Sequence, residues 1–273
     1  MIYLRIALIL VPYFMLTACG PLAAVSAVGS TITNAAYNKA ERDLNNPKPS
    51  RDEQAMEVAV TNMNLGVEYM RQGQYEQALF NLKRSIRAKP DYAPRYNILG
   101  LLYQRLGETA EAEAHFKQSI KLDASDSSTY NNYGLFLCNN ERYDEAITAF
   151  KTAANNPLYA SPEIALTNAG ICSLNQDKAL AEDYFKQALT RNPDFPYALL
   201  QMADISYNRN QYEIAHDYFK RHKKNARLTP KSLWLGIRIC NELDYKDDVS
   251  SYALLLRNNY PDTEEAQLLQ EYL

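Results

Sequence analysis

The chain contains few of the residues from which catalytic and metal sites are usually built. Its 273 residues include three histidines and four cysteines. They form no His-x-x-x-His, Cys-x-x-Cys, glycine-rich phosphate loop or nucleophile elbow. The net charge is only −3, which gives no case for nucleic-acid binding. We therefore expect no enzyme activity, cofactor, metal, small-molecule substrate or nucleic-acid partner.

The N-terminal apolar run is too short to span a bilayer. It covers residues 6–16, follows the single charge of Arg5 and leads into Leu16-Thr17-Ala18-Cys19. Such a run suits the core of a secretory signal. Leucine, two small residues and cysteine resemble the bacterial lipoprotein signal. The resemblance implies a signal peptide over residues 1–18, with a diacylglycerol and an N-acyl chain on Cys19. The alternative is a cysteine that happens to follow a signal peptide. Because Gly20 stands where inner-membrane lipoproteins have Asp, the resemblance implies the outer membrane.

Residues 19–57 have the composition of a linker. Small and polar residues dominate as far as the segment Asn45-Asn46-Pro47-Lys48-Pro49, although residues 30–44 also allow a weak helix. A flexible chain of about 40 residues spans roughly 35 Å root-mean-square. We predict a lipidated N-terminus and tether that let the following residues work away from the bilayer.

Residues 58–273 carry an internal repeat. Gly66, Gly100 and Gly134 lie 34 residues apart, and an alanine and then a bulky apolar residue follow each glycine at fixed distances. A fixed period of this length predicts a stack of two-helix units. The alanines are Ala78, Ala112 and Ala146, and the bulky residues are Leu82, Phe116 and Phe150.

Three less regular units follow. Gly170, Ala203 and Gly236 take the glycine position, and Asp248 stands in the sixth unit where alanine is expected. The recurring pattern of aromatic, Leu-Gly, Tyr, Ala, Phe, Ala and Pro resembles the tetratricopeptide repeat (TPR). This resemblance implies an all-α, right-handed superhelix of about six helix-turn-helix repeats. We expect residues 263–273 to form a capping helix.

The TPR resemblance also implies a protein-binding groove. In that fold the first helix of each unit lines a concave face, which would here have an apolar floor, amides along one side and two arginines. Such a groove suits an apolar helix or extended peptide of a partner. The alternative is that part of this row packs against a neighbouring repeat. The predicted groove residues are Met63, Val67, Met70, Arg71, Asn97, Leu101, Gln104, Arg105, Asn131 and Leu135.

Three cysteines fall within the repeats. Cys138 and Cys172 lie on first helices of adjacent units, so either a disulfide or two small buried thiols is compatible with their positions. Cys240 is two units further on. We expect it to be a lone thiol in the core.

The whole arrangement resembles one family in particular. The lipoprotein signal, the tether, six repeats and the segments 130–138 and 141–146 are similar to the type IV pilus biogenesis and stability lipoproteins, the PilF/PilW family. The resemblance implies a pilotin that binds pilus secretin subunits, carries them to the outer membrane and promotes their multimerisation. The repeats would face the periplasm. The alternative is a periplasmic repeat scaffold for peptidoglycan synthesis or outer-membrane protein assembly.

Overall fold

The computed structural model describes residues 49–272. This part of the chain forms thirteen helices and contains no strand. The predicted signal peptide, Cys19 and most of the predicted tether lie outside the described residues. The helices are α1 (Arg51–Arg71), α2 (Tyr75–Ala88), α3 (Pro94–Leu106), α4 (Thr109–Leu122), α5 (Ser127–Asn139), α6 (Tyr143–Asn155), α7 (Pro162–Ser173), α8 (Lys178–Arg191), α9 (Pro196–Asn208), α10 (Tyr212–Asn225), α11 (Pro230–Glu242), α12 (Lys246–Asn259) and α13 (Glu264–Tyr272).

Successive helices pair into six units, from α1–α2 to α11–α12, and from Ala55 onward they form one compact body. The all-α TPR superhelix predicted from the sequence is confirmed. The last helix, α13, packs on α11 and α12, where Ala266 and Leu269 are buried. It covers an apolar face that a further repeat would otherwise cover, as a solenoid cap must.

The first helix begins earlier than predicted. The sequence predicts a solenoid that starts at residue 58, but α1 begins at Arg51. Ser50 and Glu53 form a reciprocal capping box: the Ser50 backbone amide donates to the Glu53 carboxylate at 2.6 Å, and the Glu53 amide donates to the Ser50 hydroxyl at 3.2 Å. This cap gives the helix a defined start after the prolines.

The repeated glycines allow the two helices of a unit to touch. A Cβ built on Gly134 would lie 2.7 Å from the Phe150 ring, which is closer than real side chains approach. The same contact joins the glycine and the bulky residue in three other units. Phe150 and its equivalents are fully buried in these contacts. The other pairs are Gly66 with Leu82, Gly100 with Phe116, and Gly170 with Phe185.

The sixth unit departs from the predicted register by one residue. The turn between its helices has a positive φ at Asp244, which lies 34 residues after the equivalent Asn210. Counting from that turn, Val249 occupies the alanine position, not Asp248. A Cβ on Gly236 would lie 2.4 Å from Phe219 of the preceding unit. This glycine therefore serves the contact between units 5 and 6.

Among residues 49–272, no helix combines the length and apolarity needed to cross a bilayer.

Candidate protein-binding groove

An aliphatic row runs along the first helices of units 1–4. Its members follow the repeat glycine directly. Val67 and Leu101 are half-buried, whereas Leu135 and Ile171 are 36% and 46% exposed. Leu101 also packs against the core around Phe136. The row is therefore most open at units 3 and 4, and Ile171 extends it beyond the predicted groove residues.

Two of the predicted groove amides are largely buried and bind the next unit. Asn97 and Asn131 are fixed by the next unit: the Asn97 side-chain oxygen accepts from Asn132 at 3.1 Å, and that of Asn131 accepts from Asn168 at 2.9 Å. We call these four residues the amide ladder. Asn97 also lines the open cleft described below, and the contact of Asn97 and Asn131 with a ligand stays a prediction. Because buried amides need partners, the ladder sets the spacing of α3, α5 and α7.

The two methionines of the predicted groove differ. Met70 is buried with Leu82, Leu99 and Leu102, so it belongs to the core between units 1 and 2. Little of its side chain is open to a partner, and its place in the groove stays a prediction. Met63 is half-buried and lines an open cleft, so it stays available.

The predicted polar edge of the groove is accessible. Arg71 is exposed and lies 3.8 Å from the Glu68 carboxylate, a surface pair that contributes little to stability. Arg105 is exposed and donates to the Met70 carbonyl at 3.4 Å, which ties α3 to α1. Gln104 is half-buried. These side chains leave cationic groups beside the N-terminal end of the aliphatic row.

A disulfide joins α5 and α7 in the structure. Cys138 and Cys172 are bonded, and their Cα atoms are 5.9 Å apart. Of the two readings that the sequence left open, this is the bridge between units 3 and 4. It lies beside the most exposed part of the row, so it fixes the distance between Leu135 and Ile171.

A cleft that sequence reasoning missed opens at the N-terminal ends of the first helices. Its volume is about 780 Å³, and Met63, Ile98, Leu158 and Ile164 supply apolar walls. Leu158 is 89% exposed on the loop before α7. The Asn156 amide fixes this loop by donating to the Ser125 carbonyl and the Ser127 hydroxyl, each at 2.9 Å. The extra residues between α6 and α7 were the sequence feature that could have indicated this cleft.

An ion network joins unit 2 to unit 3. The Glu113 carboxylate lies 2.7 Å from the Lys117 ammonium and 2.8 Å from the Arg142 guanidinium, and it accepts from the Tyr133 hydroxyl at 3.0 Å. Lys117, then Arg142 and Tyr133, lower the pKa of Glu113 to about 2. A lowered carboxyl pKa contributes stability that is lost as the pH falls from about 4.5 through 2.

Units 5 and 6 form a different surface. The Arg238 guanidinium lies over Tyr207 at 4.7 Å and over Trp234 at 5.8 Å, and 3.8 Å from the Asp204 carboxylate. Asp204, Trp234 and Arg238 line a smaller cleft of about 290 Å³. Cation–π contacts replace the amide ladder here.

Family models identify the repeats directly. A TPR repeat model matches residues 66–107, and a tetratricopeptide repeat model matches residues 98–161.

The decisive comparison covers most of the chain. The type IV pilus assembly protein PilF of Pseudomonas aeruginosa is 30% identical over 209 residues, which are 76% of this chain and 83% of that protein. The chain belongs to the PilF/PilW family. A solved structure of P. aeruginosa PilF matches with a TM-score of 0.71 at 29% identity, covering 81% of this chain and all of that one.

A second family member agrees. The crystal structure of PilW, described as a widely conserved type IV pilus biogenesis factor, matches with a TM-score of 0.67 at 31% identity and covers 78% of this chain and 98% of that one. Both structural matches extend over nearly the full solved chains. The PilF/PilW resemblance that the sequence suggested is therefore confirmed, and the likeness is not limited to isolated repeats.

Proposed function

We propose that this PilF/PilW-family protein serves type IV pilus biogenesis as a pilotin that binds secretin subunits through units 1–4. The observation that carries the proposal is the aliphatic row, exposed at Leu135 and Ile171 on helices that a disulfide and the amide ladder hold at fixed spacing. A pre-organised apolar strip binds an apolar peptide with little ordering cost. The names of its relatives, a pilus assembly protein and a pilus biogenesis factor, support the pathway.

The proposed mechanism is physical coupling. A lipid on Cys19 anchors the protein in the outer membrane, and the tether lets the repeats reach into the periplasm. A secretin subunit held by an anchored protein is confined near the membrane. The resulting rise in effective concentration favours multimerisation without any chemical step.

The groove is tested with Leu135→Glu and Ile171→Glu. Both side chains are exposed, so the substitutions place charge in the row without opening the core. Leu254→Glu is the matched control, because Leu254 is 59% exposed on α12, away from the row. We expect the groove variants to lose heat-stable secretin multimers from the outer-membrane fraction while the helical content stays the same.

The control variant should preserve the multimers. Normal multimers in both groove variants would discard the secretin-binding groove. Co-purification of the wild-type chain with a peptidoglycan synthase or the barrel-assembly machine, and not with the secretin, would favour the scaffold alternative.

The anchor is tested separately with Cys19→Ser. The variant should be released from membranes and leave secretin monomers in the inner membrane, while its binding to purified secretin persists. Unchanged outer-membrane fractionation of the variant would contradict lipidation at Cys19.

A further inference from the structure

Three helices of units 5 and 6 bring metal-ligating side chains together. His216 lies on α10, Cys240 on α11 and Asp248 on α12. One ligand atom from each lies within 4.8 Å of the other two. Cys240 is completely buried, whereas His216 and Asp248 are half-buried, so the cluster reaches from the core to the surface.

His216 occupies a position that bridges neighbouring units elsewhere in the chain. It is the fifth residue of the second helix of its unit, as Glu113 and Glu182 are in units 2 and 4. Those two carboxylates bind arginines in the turn of the next unit, Arg142 at 2.8 Å and Arg209 at 2.6 Å. At the junction of units 5 and 6 the equivalent residue is an imidazole that faces a thiol and a carboxylate.

Asp248 also differs from the residues at the equivalent position of the other units, in its burial. It is the third residue of its helix and is half-buried, although the residues at this position in the other units are exposed. Its carboxylate therefore faces the interior between units 5 and 6 more than its equivalents do. The equivalent residues are Gln77, Glu111, Glu145, Leu180 and Ile214.

We propose that His216, Cys240 and Asp248 bind one Zn²⁺ ion that clamps unit 5 to unit 6. Thiolate, imidazole and carboxylate are the ligands that zinc takes in proteins, and a water molecule completes the tetrahedron. Tetrahedral zinc places its ligand atoms roughly 3.5 Å apart. Ligand atoms that lie within 4.8 Å of one another must therefore close by at most about 1 Å. We expect rotation of the half-buried His216 and Asp248 side chains to bring the ligand atoms together, while buried Cys240 stays in place.

Binding of a cation at the cluster must displace a thiol proton and tolerate a nearby positive charge. Zinc binds cysteine as the thiolate, so it displaces the Cys240 thiol proton when it binds. Lys223 interacts electrostatically with both Asp248 and Cys240, and its ammonium binds the Tyr252 hydroxyl at 2.7 Å. Tyr245 packs edge-on against His216 with ring centroids 5.1 Å apart. Lys223 is the one of these groups whose charge opposes the ion.

The test uses cobalt as a spectroscopic substitute for zinc. The full chain carries Cys19→Ser, so that Cys240 is its free thiol beside the Cys138–Cys172 disulfide. Titration with Co²⁺ should produce a sulfur-to-cobalt charge-transfer band at one equivalent, and Zn²⁺ should abolish it. A cobalt spectrum without that band would overturn the proposal.

Two single substitutions distinguish metal binding at this site from non-specific binding to surface carboxylates. Asp248→Ala should eliminate the band. It should leave the fold intact, because the equivalent residues in the other units are exposed and the fold does not depend on a buried side chain there. Asp247→Ala removes the adjacent, exposed carboxylate from the same first helical turn and should leave the band unchanged. Equal metal binding by both variants would mean that Asp248 is not a ligand.

Stability provides an independent readout. Zinc at a hundredfold excess over its Kd should raise the melting temperature of the parent protein by roughly 5–10 °C. The rise should be absent in Asp248→Ala. Lys223→Gln should tighten zinc binding several-fold, because it removes a repelling charge. No zinc-induced rise in the parent, or weaker binding in Lys223→Gln, would contradict the proposed clamp.

Discussion

The N-terminal and C-terminal halves of the solenoid join their repeats by different contacts. Units 2–4 are connected by the amide ladder, the Glu113 ion network and the disulfide. Units 5 and 6 are connected mainly through aromatic side chains. Phe219 fits against Gly236 and the Tyr252 ring, and Arg238 lies over Tyr207 and Trp234. Two polar contacts, Lys223 with Tyr252 and Arg238 with Asp204, accompany them. Directional polar contacts set the spacing of helices more strictly than apolar packing does. The units joined by the amide ladder and the disulfide carry the exposed part of the aliphatic row.

The largest expected loss of stability comes from truncating a buried phenylalanine. Two such substitutions distinguish contacts within a unit from contacts between units. Phe150→Ala and Phe219→Ala should each cost about 3–5 kcal/mol of unfolding free energy, because each leaves a cavity in a close-packed interior. Phe150 fills its own unit, whereas Phe219 also meets Gly236 of the next. Hydrogen exchange should therefore detect loss of protection in unit 3 for Phe150→Ala, and in units 5 and 6 together for Phe219→Ala. The same pattern in both variants would remove the distinction.

A somewhat smaller effect is expected from the disulfide. Its cysteines are 34 residues apart, and cross-linking a loop of that length stabilises a protein by roughly 3–4 kcal/mol in the chain-entropy account. Replacing both Cys138 and Cys172 by serine should lower the stability of units 3 and 4. Chemical denaturation followed by regional hydrogen exchange measures this change. Protection lost first in units 5 and 6 would show that the bridge does not stabilise the N-terminal half selectively.

The smallest effect concerns pH and falls in the C-terminal half. His222 is buried, its Nδ1 bonds with the Pro196 carbonyl at 2.9 Å and its Nε2 is without a partner. Burial lowers the pKa of His222. The unfolded state therefore binds more protons, and stability falls as the pH drops below about 6.5, by at most about 1.4 kcal/mol per pH unit.

The substitution His222→Asn isolates that contribution. Asparagine keeps a side-chain donor for the Pro196 carbonyl but does not titrate between pH 5 and 8. The difference in unfolding free energy between pH 7.5 and 5.5 should shrink in the variant. An identical pH dependence in both proteins would assign the effect to other groups.

Much of the fold was predictable because one periodic signal determines it. Gly66, Gly100 and Gly134 each require a close approach to one bulky side chain, so their spacing alone predicts the helix pairs of units 1–3. The sixth unit broke this inference. Gly236 serves the contact between units, and a sequence carries no mark that separates that role from the usual one.

The candidate groove was less predictable for a related reason. Repeat register places Asn97 and Leu135 on the same helical face, but it does not reveal which side chains the neighbouring unit covers. Asn97 is covered because Asn132 reaches it, whereas Leu135 stays open. Leu158 was missed because its exposure depends on a loop fixed by Asn156, a contact outside the repeat pattern.

The most direct test of the central claim is site-specific photo-crosslinking in living cells. A photoreactive phenylalanine analogue replaces Ile171 in the open half of the row, and replaces Leu254 in the control. We expect a crosslink from position 171 to the pilus secretin and none from position 254. A secretin crosslink from position 254 alone, or from neither position while secretin multimers still form, would contradict that claim.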